Sequence, residues 1–189
     1  MTPSDQPYEA PPNLPATLAT RPRDSRRGLP IPPVNLHPTP TGGEAVDFTA
    51  INTTTSTRLA SNRQCSLCGI EMKYWVAFLG GPRAAELMQY GDPPGCPDCI
   101  RAAVTLCRFI AIGRHRRARA DRSGAASIPP GTHGDKPPYW VLGITRRYRT
   151  AFLPDRGFTV YLPARFRTVE TYRYGPDGRI NPTPDIRQG

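Results

Sequence analysis

The 189-residue sequence lacks the features that direct a chain into or across a membrane. No apolar run is longer than the six residues from Tyr74 to Leu79, whereas a transmembrane helix needs about 20. Residues 1–20 contain neither Lys nor Arg, so the basic start and the apolar core of about 7–15 residues that define a secretory signal are missing. The sequence therefore predicts no membrane partner and a cytoplasmic protein.

Residues suited to catalysis are also scarce. The three histidines, His37, His115 and His133, have no neighbouring carboxylate or nucleophile in the sequence that would form a catalytic pair. There is no glycine-rich phosphate loop, no G-x-S-x-G turn and no H-E-x-x-H helix. The histidine–asparagine–histidine set of treble-clef nucleases is absent between Cys68 and Cys107. We therefore expect a protein that is not an enzyme.

Apolar residues are few in the first third of the chain, while proline is abundant. Residues 1–62 hold eleven prolines and ten threonines but only two aromatic residues, Tyr8 and Phe48. Such a composition buries too little apolar surface to offset chain entropy, so residues 1–61 are predicted to be a disordered arm. The arm is either a flexible tail or a segment that docks on a protein partner, and Leu29 to Pro33 is the best candidate for such docking.

Four of the five cysteines form two C-x-x-C pairs, which give the strongest signal in the sequence. Cys65 and Cys68 are separated from Cys96 and Cys99 by 27 residues. Two such pairs are typical of a tetrahedral zinc site. Disulfides are the alternative, and the absence of an export signal counts against them. A thioredoxin-like redox motif would need one pair. We predict that these four thiolates bind a structural Zn²⁺.

The residues around the two pairs predict different local structures. Gly69 follows the first pair, as the tight turn of a zinc knuckle requires. In the second pair, Cys96 is placed to cap a helix in which Pro97 is the first residue and Asp98 favours the positive end of the helix dipole. Strand-forming residues over 71–79 lead to a glycine–proline turn. Knuckle, hairpin and helix together predict a treble-clef-like zinc module over residues 62–120.

The predicted helix has one apolar and one basic face. Cys107 falls on the apolar face, too far from Cys99 to share its metal, and is predicted to be a core residue. Residues 63–189 carry 20 basic and 10 acidic side chains, and hence the whole net charge of +10. The basic face predicts contact with DNA or RNA phosphates, or else reflects an arginine-rich proteome and a solvated helix end. Its members are Arg101, Arg108, Arg114, His115, Arg116, Arg117, Arg119 and Arg122.

The last third of the chain changes composition twice. Residues 121–138 are rich in glycine, serine and proline and are predicted to be a linker. Aromatic and β-branched runs at 139–144, 148–153, 158–162 and 166–174, separated by turn residues, predict an antiparallel β-meander over 139–180 that packs on the zinc module. Residues 181–189 form a tail. Aromatic residues and arginines alternate in the strands, for example at Phe166 and Arg167. This pattern is typical of base stacking beside phosphate contacts, and equally of an ordinary sheet with one buried and one exposed face. The fold class is therefore α+β.

Part of the chain resembles a known family. Residues 62–69, 77–82, 92–99 and 106–109 are similar to an uncharacterised family of small cysteine-rich proteins of actinobacteria and their phages. That family has C-x-x-C-G, a glycine–proline turn, P-P-x-H-x-x-C and a later C-P. Cys96 stands where the family has histidine, and Arg108 replaces the proline after Cys107. The resemblance implies a zinc-binding module and an actinobacterial or phage origin, and it implies no activity.

Two hypotheses follow for the function. The first is a nucleic-acid-binding or regulatory protein built on a structural zinc module. The second is a protein-interaction factor, encoded by a phage and acting on a host protein in the host cytoplasm through its proline-rich arm.

Overall fold

The computed structural model describes residues 14–115 and 136–183, which form short helices and antiparallel strands. The helices are α1 (Ala16–Ala19), α2 (Thr53–Ser61), α3 (Pro82–Leu87), α4 (Pro97–Leu106) and α5 (Arg108–Ala111). The strands are β1 (Leu36–Pro38), β2 (Glu44–Val46), β3 (Val76–Gly80), β4 (Tyr139–Thr145), β5 (Tyr148–Leu153), β6 (Phe158–Pro163), β7 (Thr168–Tyr174) and β8 (Ile180–Thr183). This mixture of helices and antiparallel sheets agrees with the α+β prediction.

The largest sheet has four antiparallel strands in the order β3-β4-β7-β8. Strand β4 lies inside it because the run from Trp140 to Ile144 is apolar on both faces and is buried throughout. Strands β5 and β6 form a separate hairpin, and β1 pairs only with β2. The four strands predicted between residues 139 and 174 are present, but they are divided between two sheets and do not form one meander.

Strand β3 occupies a position that the sequence did not indicate. It follows the first cysteine pair and was expected to form a hairpin inside the zinc module. It pairs instead along its whole length with β4, which comes about 60 residues later in the chain, as the register from Val76 with Thr145 to Gly80 with Val141 shows. Within the expected module and the described residues, its backbone pairing is the isolated bridge between Ala77 and Gly95. Pairing with β4 satisfies the backbone hydrogen bonds along one edge of β3.

The core consists of two clusters of buried side chains. The first joins α1, α2, β3 and β6 around the cysteines and includes Leu18, Phe78, Tyr90 and Tyr161. The second lies between α4 and the four-stranded sheet, where Ile100 and Val104 of the helix meet sheet residues such as Trp140, Leu142 and Tyr172. The apolar face of the helix is therefore covered by the sheet, as the sequence predicted.

The prediction of a disordered arm is wrong for residues 14–61. Leu18 and Leu59 are each only 3% exposed, and the Asn35 side-chain amide donates hydrogen bonds to the carbonyls of Asp47 and Ala50 at 3.0 and 2.7 Å. Asn52 caps α2 by accepting a hydrogen bond from the Thr55 amide. The segment has few apolar residues, but it places them on a core that the rest of the chain provides. Residues 1–13 lie outside the described residues.

The proposed docking segment is part of that packed region. In the stretch from Leu29 to Pro33, Pro30 and Pro32 are buried, and Leu29 packs against the first core cluster. The backbone is also paired, because the Ile31 amide donates to the Pro22 carbonyl at 2.8 Å. A proline motif held in this way does not offer the exposed face on which a partner domain would dock.

The predicted long helix is interrupted. Helix α4 ends at Leu106, and Cys107 has an extended backbone with φ −76° and ψ 106° before α5 begins. The change of direction brings Phe109 and Ile110 against the second core cluster. Cys107 is partly buried, and burial raises the pKa of its thiol, but it is not a member of either core cluster.

The predicted boundaries of the linker and of the tail differ from those in the structure at the two ends of the described range 136–183. Lys136, expected in the linker, donates a hydrogen bond to the Ile112 carbonyl, and its ammonium lies 4.9 and 5.1 Å from the ring centroids of Phe109 and Tyr174. Residues 181–183, expected in the tail, belong to β8. Residues 116–135 and 184–189 lie outside the described residues. Among the residues described, none of the helices combines the length and apolar character needed to cross a membrane.

Candidate metal centre

The first cysteine pair lies in a tight turn between α2 and β3. The Cys65 amide donates to the Ile70 carbonyl at 2.8 Å, and the Gly69 amide donates to the Cys65 carbonyl at 2.9 Å. Gly69 has φ +79°, which a residue with a side chain adopts only with strain. The turn also directs backbone amides at sulfur, with Cys68 hydrogen-bonded to the Cys65 thiol and Ile70 to the Cys68 thiol. These features are those expected of a knuckle.

The second pair lies at the start of α4. Cys96 is the N-cap with an extended backbone, Pro97 is the first helical residue, and the Ile100 amide donates to the Cys96 carbonyl at 3.0 Å. The Cys96 amide donates to the sulfur of Cys65 at 3.2 Å and so joins the two pairs. The prediction of a helix that begins at this pair is confirmed.

The residue before the second pair must be small. A Cβ atom placed on Gly95 would lie 2.8 Å from Cδ1 of Ile100 and 3.2 Å from the sulfur of Cys65. The absence of a side chain therefore lets the two chain segments approach each other closely enough for their thiols to converge. A larger residue would press on both the helix and the first pair.

The four sulfur atoms form one compact cluster. All of them lie within 4.8 Å of one another, and Cys65 and Cys99 are completely buried. A tetrahedral zinc ion with Zn–S bonds of about 2.3 Å would place its sulfurs about 3.8 Å apart, which fits a cluster of this size. The arrangement can hold a metal ion with four thiolate ligands. The structure thus brings together all four cysteines that the sequence selected.

Contacts among the four thiols shift their pKa values. Hydrogen bonds from Cys65, Cys96 and Cys99 lower the pKa of Cys68 far below its usual value. The contact with Cys68 raises the pKa of Cys65, but hydrogen bonds from Cys96 and Cys99 outweigh it and lower this pKa to about 7. Hydrogen bonds with Cys65 and Cys68 raise the pKa of Cys96 and of Cys99. A metal ion binds thiolates, so binding at this cluster would release the protons that the thiols hold.

Two residues beside the cluster were not found from the sequence. The Thr17 hydroxyl lies 3.6 Å from the sulfur of Cys99, although the two residues are 82 positions apart. The ring of Pro33 lies beside Gly69, where a Cβ atom on the glycine would be 3.3 Å from it. Both come from the segment that was expected to be disordered. Sequence patterns around the cysteines contain no information on either contact, because both are made by distant parts of the chain.

Within residues 14–115, the basic residues predicted to contact nucleic acid are not aligned on one helix face. Arg114 and His115 are exposed beyond α5, and Arg108 is half-buried in α5. Because the helix breaks at Cys107, these three residues do not continue the face of Arg101. The remaining members, Arg116, Arg117, Arg119 and Arg122, lie outside the described residues.

Arg101 is engaged within the fold. Its guanidinium meets the Glu170 carboxylate through three hydrogen bonds of 2.6 to 3.2 Å and contacts Asp98 at 3.0 Å. Tyr172 donates a hydrogen bond of 2.8 Å to the same carboxylate. The hydrogen bonds from Arg101 hold the pKa of Glu170 below its usual value, although burial opposes them. This arginine links α4 to β7 and is not a free cation for phosphate.

Replacing this arginine should therefore affect stability and not ligand binding. We expect Arg101→Gln to lower the free energy of unfolding by about 1 kcal/mol, since the pair is bidentate but still partly exposed. A double-mutant cycle with Glu170→Gln in urea denaturation measures the coupling. Loss of nucleic-acid affinity without a change in stability would instead restore Arg101 to the binding surface.

Comparisons of the chain with family models, with curated proteins and with solved structures found no match. The resemblance to the cysteine-rich family of actinobacteria and phages therefore stays a prediction, and the function must be argued from the residues themselves.

Proposed function

We propose that this protein is a non-enzymatic nucleic-acid-binding protein whose fold is held by one structural Zn²⁺ at Cys65, Cys68, Cys96 and Cys99. The observation that carries the proposal is the closed cluster of four thiols within 4.8 Å of one another. Zinc is the ion that four thiolates in a tetrahedral arrangement favour in proteins, with iron as the main competitor.

A treble-clef-like module is the architecture that we propose around this ion. A knuckle supplies the first two ligands, and the N-cap and first turn of α4 supply the other two. In place of a local hairpin, β3 completes the module by pairing with β4. The module is therefore built into the larger sheet and does not stand apart from it.

A structural role for the metal follows from its ligands. Four protein thiolates fill the coordination shell of a tetrahedral ion and leave no position for water or substrate. Such an ion stabilises the fold and does not activate a nucleophile. The function of the chain would then be binding through its surface.

The charge of the chain supports nucleic acid as the ligand. Residues 63–189 contain 20 basic and 10 acidic residues, whereas residues 1–62 are neutral overall. A positive region on this scale attracts a polyanion and releases its counterions on binding. The alternative of a protein-interaction factor acting through the proline-rich arm gains no support, because Pro30 and Pro32 are buried.

Native mass spectrometry of the full-length protein tests both parts of the proposal. We expect one zinc ion per chain and co-purifying nucleic acid at low ionic strength. In a separate titration, the logarithm of the affinity for DNA or RNA should fall linearly with the logarithm of salt concentration. A metal-free protein would contradict the first part, and negligible binding at low salt would contradict the second.

A further inference from the structure

An open groove of about 940 Å³ lies where the residues just before β3 meet the turn between β4 and β5. One wall carries Tyr74 and Trp75, whose side chains are 57% and 36% exposed. Arg146 and Arg147, both exposed, project from the turn beside them. Two adjacent exposed aromatic side chains beside two arginines form a contiguous patch, and such patches mark ligand-binding surfaces more often than single exposed side chains do.

The two aromatic rings are held in place. They pack edge to face with centroids 4.9 Å apart, and the Arg146 guanidinium lies 4.9 Å from the Tyr74 centroid and 5.8 Å from the Trp75 centroid. Arg146 also donates a hydrogen bond to the Tyr74 hydroxyl. The pairing of Val76 with Thr145 places Trp75 next to Arg146, because each is the adjoining residue at the same end of the sheet.

A second part of the wall is also basic. It is formed by Arg165, Phe166 and Arg167, of which the two arginines are exposed. Backbone hydrogen bonds fasten this wall to the turn, since the Arg167 amide donates to Ile144 at 2.7 Å and the Ala164 amide donates to Arg147 at 2.8 Å. The groove is therefore preformed by the sheet and does not depend on a free loop.

The positive surface extends into a second hollow of about 400 Å³ that shares Tyr74, Arg146 and Arg147 with the first. Arg63 and Lys73 line it together with one acid, Glu71. Arg63 donates hydrogen bonds to the Lys73 and Tyr74 carbonyls at 3.1 and 3.4 Å and so supports the aromatic wall. Six basic side chains thus surround the two hollows, and within residues 14–115 and 136–183 none of them forms an ion pair.

We propose that this groove binds single-stranded nucleic acid, with bases stacked on Trp75 and Tyr74 and phosphates held by the flanking arginines. The proposal rests on the proposed function and names its surface and the form of its ligand. Exposed aromatic faces beside basic residues match a strand whose bases are unstacked and free. A duplex keeps its bases stacked on each other and presents only phosphates, for which the aromatic wall would serve no purpose.

Fluorescence of the full-length protein tests this directly. The chain has two tryptophans, and Trp140 is buried at 7% exposure, so quenching by an added oligonucleotide reports mainly on Trp75. We expect a short oligothymidylate to quench the emission. A duplex of equal length and inorganic polyphosphate, which offers charge but no bases, should quench it far less.

Variants separate stacking from charge. Trp75→Ala should weaken oligothymidylate binding about tenfold or more, measured by anisotropy of a labelled strand, and leave polyphosphate binding unchanged. Tyr74→Ala is a second test of the same wall. The double variant Arg146→Gln with Arg147→Gln should make the plot of log affinity against log salt concentration less steep. We expect its slope to fall by about 1.4, or about 0.7 for each lost phosphate contact. Arg58→Gln with Arg83→Gln removes the same charge at exposed positions outside the groove and should leave the slope unchanged.

Zinc content and thermal unfolding of each variant establish that it is folded. If the wild type binds oligothymidylate but the groove variants bind as tightly as the Arg58 and Arg83 control, the groove is not the binding site. The proposed function would still stand. Equal affinity for duplex, or equal effects of Trp75→Ala on polyphosphate and oligothymidylate, would overturn base stacking. Absence of binding to any nucleic acid would overturn both proposals.

Discussion

Complete removal of zinc with a chelator is expected to abolish the near-UV circular dichroism of this protein. That signal comes from aromatic side chains held in fixed surroundings, and Phe78, Tyr90 and Tyr161 lie in the same core cluster as three of the four cysteines. Without the ion, the cluster would leave four thiols or thiolates facing one another inside the fold. Buried thiolates would take up protons or move apart, and the bonds through the metal that join the two cysteine pairs would be lost, so we expect the surrounding core to open.

The size of the effect follows from the energies involved. Structural zinc contributes an apparent ~10–16 kcal/mol at neutral pH, whereas a whole domain is stable by only ~5–15 kcal/mol. Loss of the ion thus removes about as much free energy as the whole free energy of unfolding of a domain. Cys99→Ser should reproduce the result, because Cys99 is completely buried and joins α4 to the cluster.

The fifth cysteine provides a matched control. Cys107 is half-buried and lies outside the four-sulfur cluster, so Cys107→Ser should keep one zinc ion per chain and change stability by about 1 kcal/mol or less. Native mass spectrometry and near-UV dichroism of the two serine variants make the comparison. A fold that persists after the metal has been fully removed would rule out the structural role, and a cluster oxidised to disulfides would favour the alternative that the sequence left open.

Leu18→Ala should cost about 2–5 kcal/mol of stability, the usual range for a leucine truncated in a packed core. Leu18 is 3% exposed and belongs to the cluster that contains Cys65, Cys68 and Cys99. Its neighbour Thr17 contacts the Cys99 sulfur. The cavity would therefore open beside the metal site, and urea denaturation should show a lower midpoint for the whole molecule.

The same substitution at an exposed leucine gives the control. Leu87, at the end of α3, is 60% exposed, and Leu87→Ala should change stability by no more than about 0.5 kcal/mol. If Leu18→Ala and Leu87→Ala had the same free energy of unfolding, residues 14–61 would be a flexible arm, as their composition alone suggests. A large difference establishes that this proline-rich segment is part of the fold.

Local patterns explain where sequence reasoning succeeded. The two C-x-x-C pairs, the glycine after the first and the proline within the second each specify a backbone geometry over a few residues, and all of these geometries are present. Strands β4 to β7 were placed within about two residues for the same reason, since alternation and turn residues act over short distances, whereas β8 was not predicted.

Composition failed where the outcome depended on distant partners. Residues 14–61 cannot build a core of their own, which is what their few apolar residues indicate, but Leu18 and Leu59 complete a core made elsewhere. Arg101 seemed to be one of a basic stripe, and only the arrival of Glu170 from β7 converts it into part of an ion pair. No local pattern contains either contact.

The sequence by itself determined which four cysteines come together, the helix that begins at Cys96 and the positive charge of the last two thirds, because each depends on residue type and short-range spacing. The tertiary structure alone decided that β3 joins β4, that the N-terminal segment packs against the four-cysteine cluster, and that Trp75 lies beside Arg146 in a basic groove. These are contacts between residues about 60 to 80 positions apart, fixed by burial of apolar surface and completion of backbone hydrogen bonds, which act only once the chain has folded.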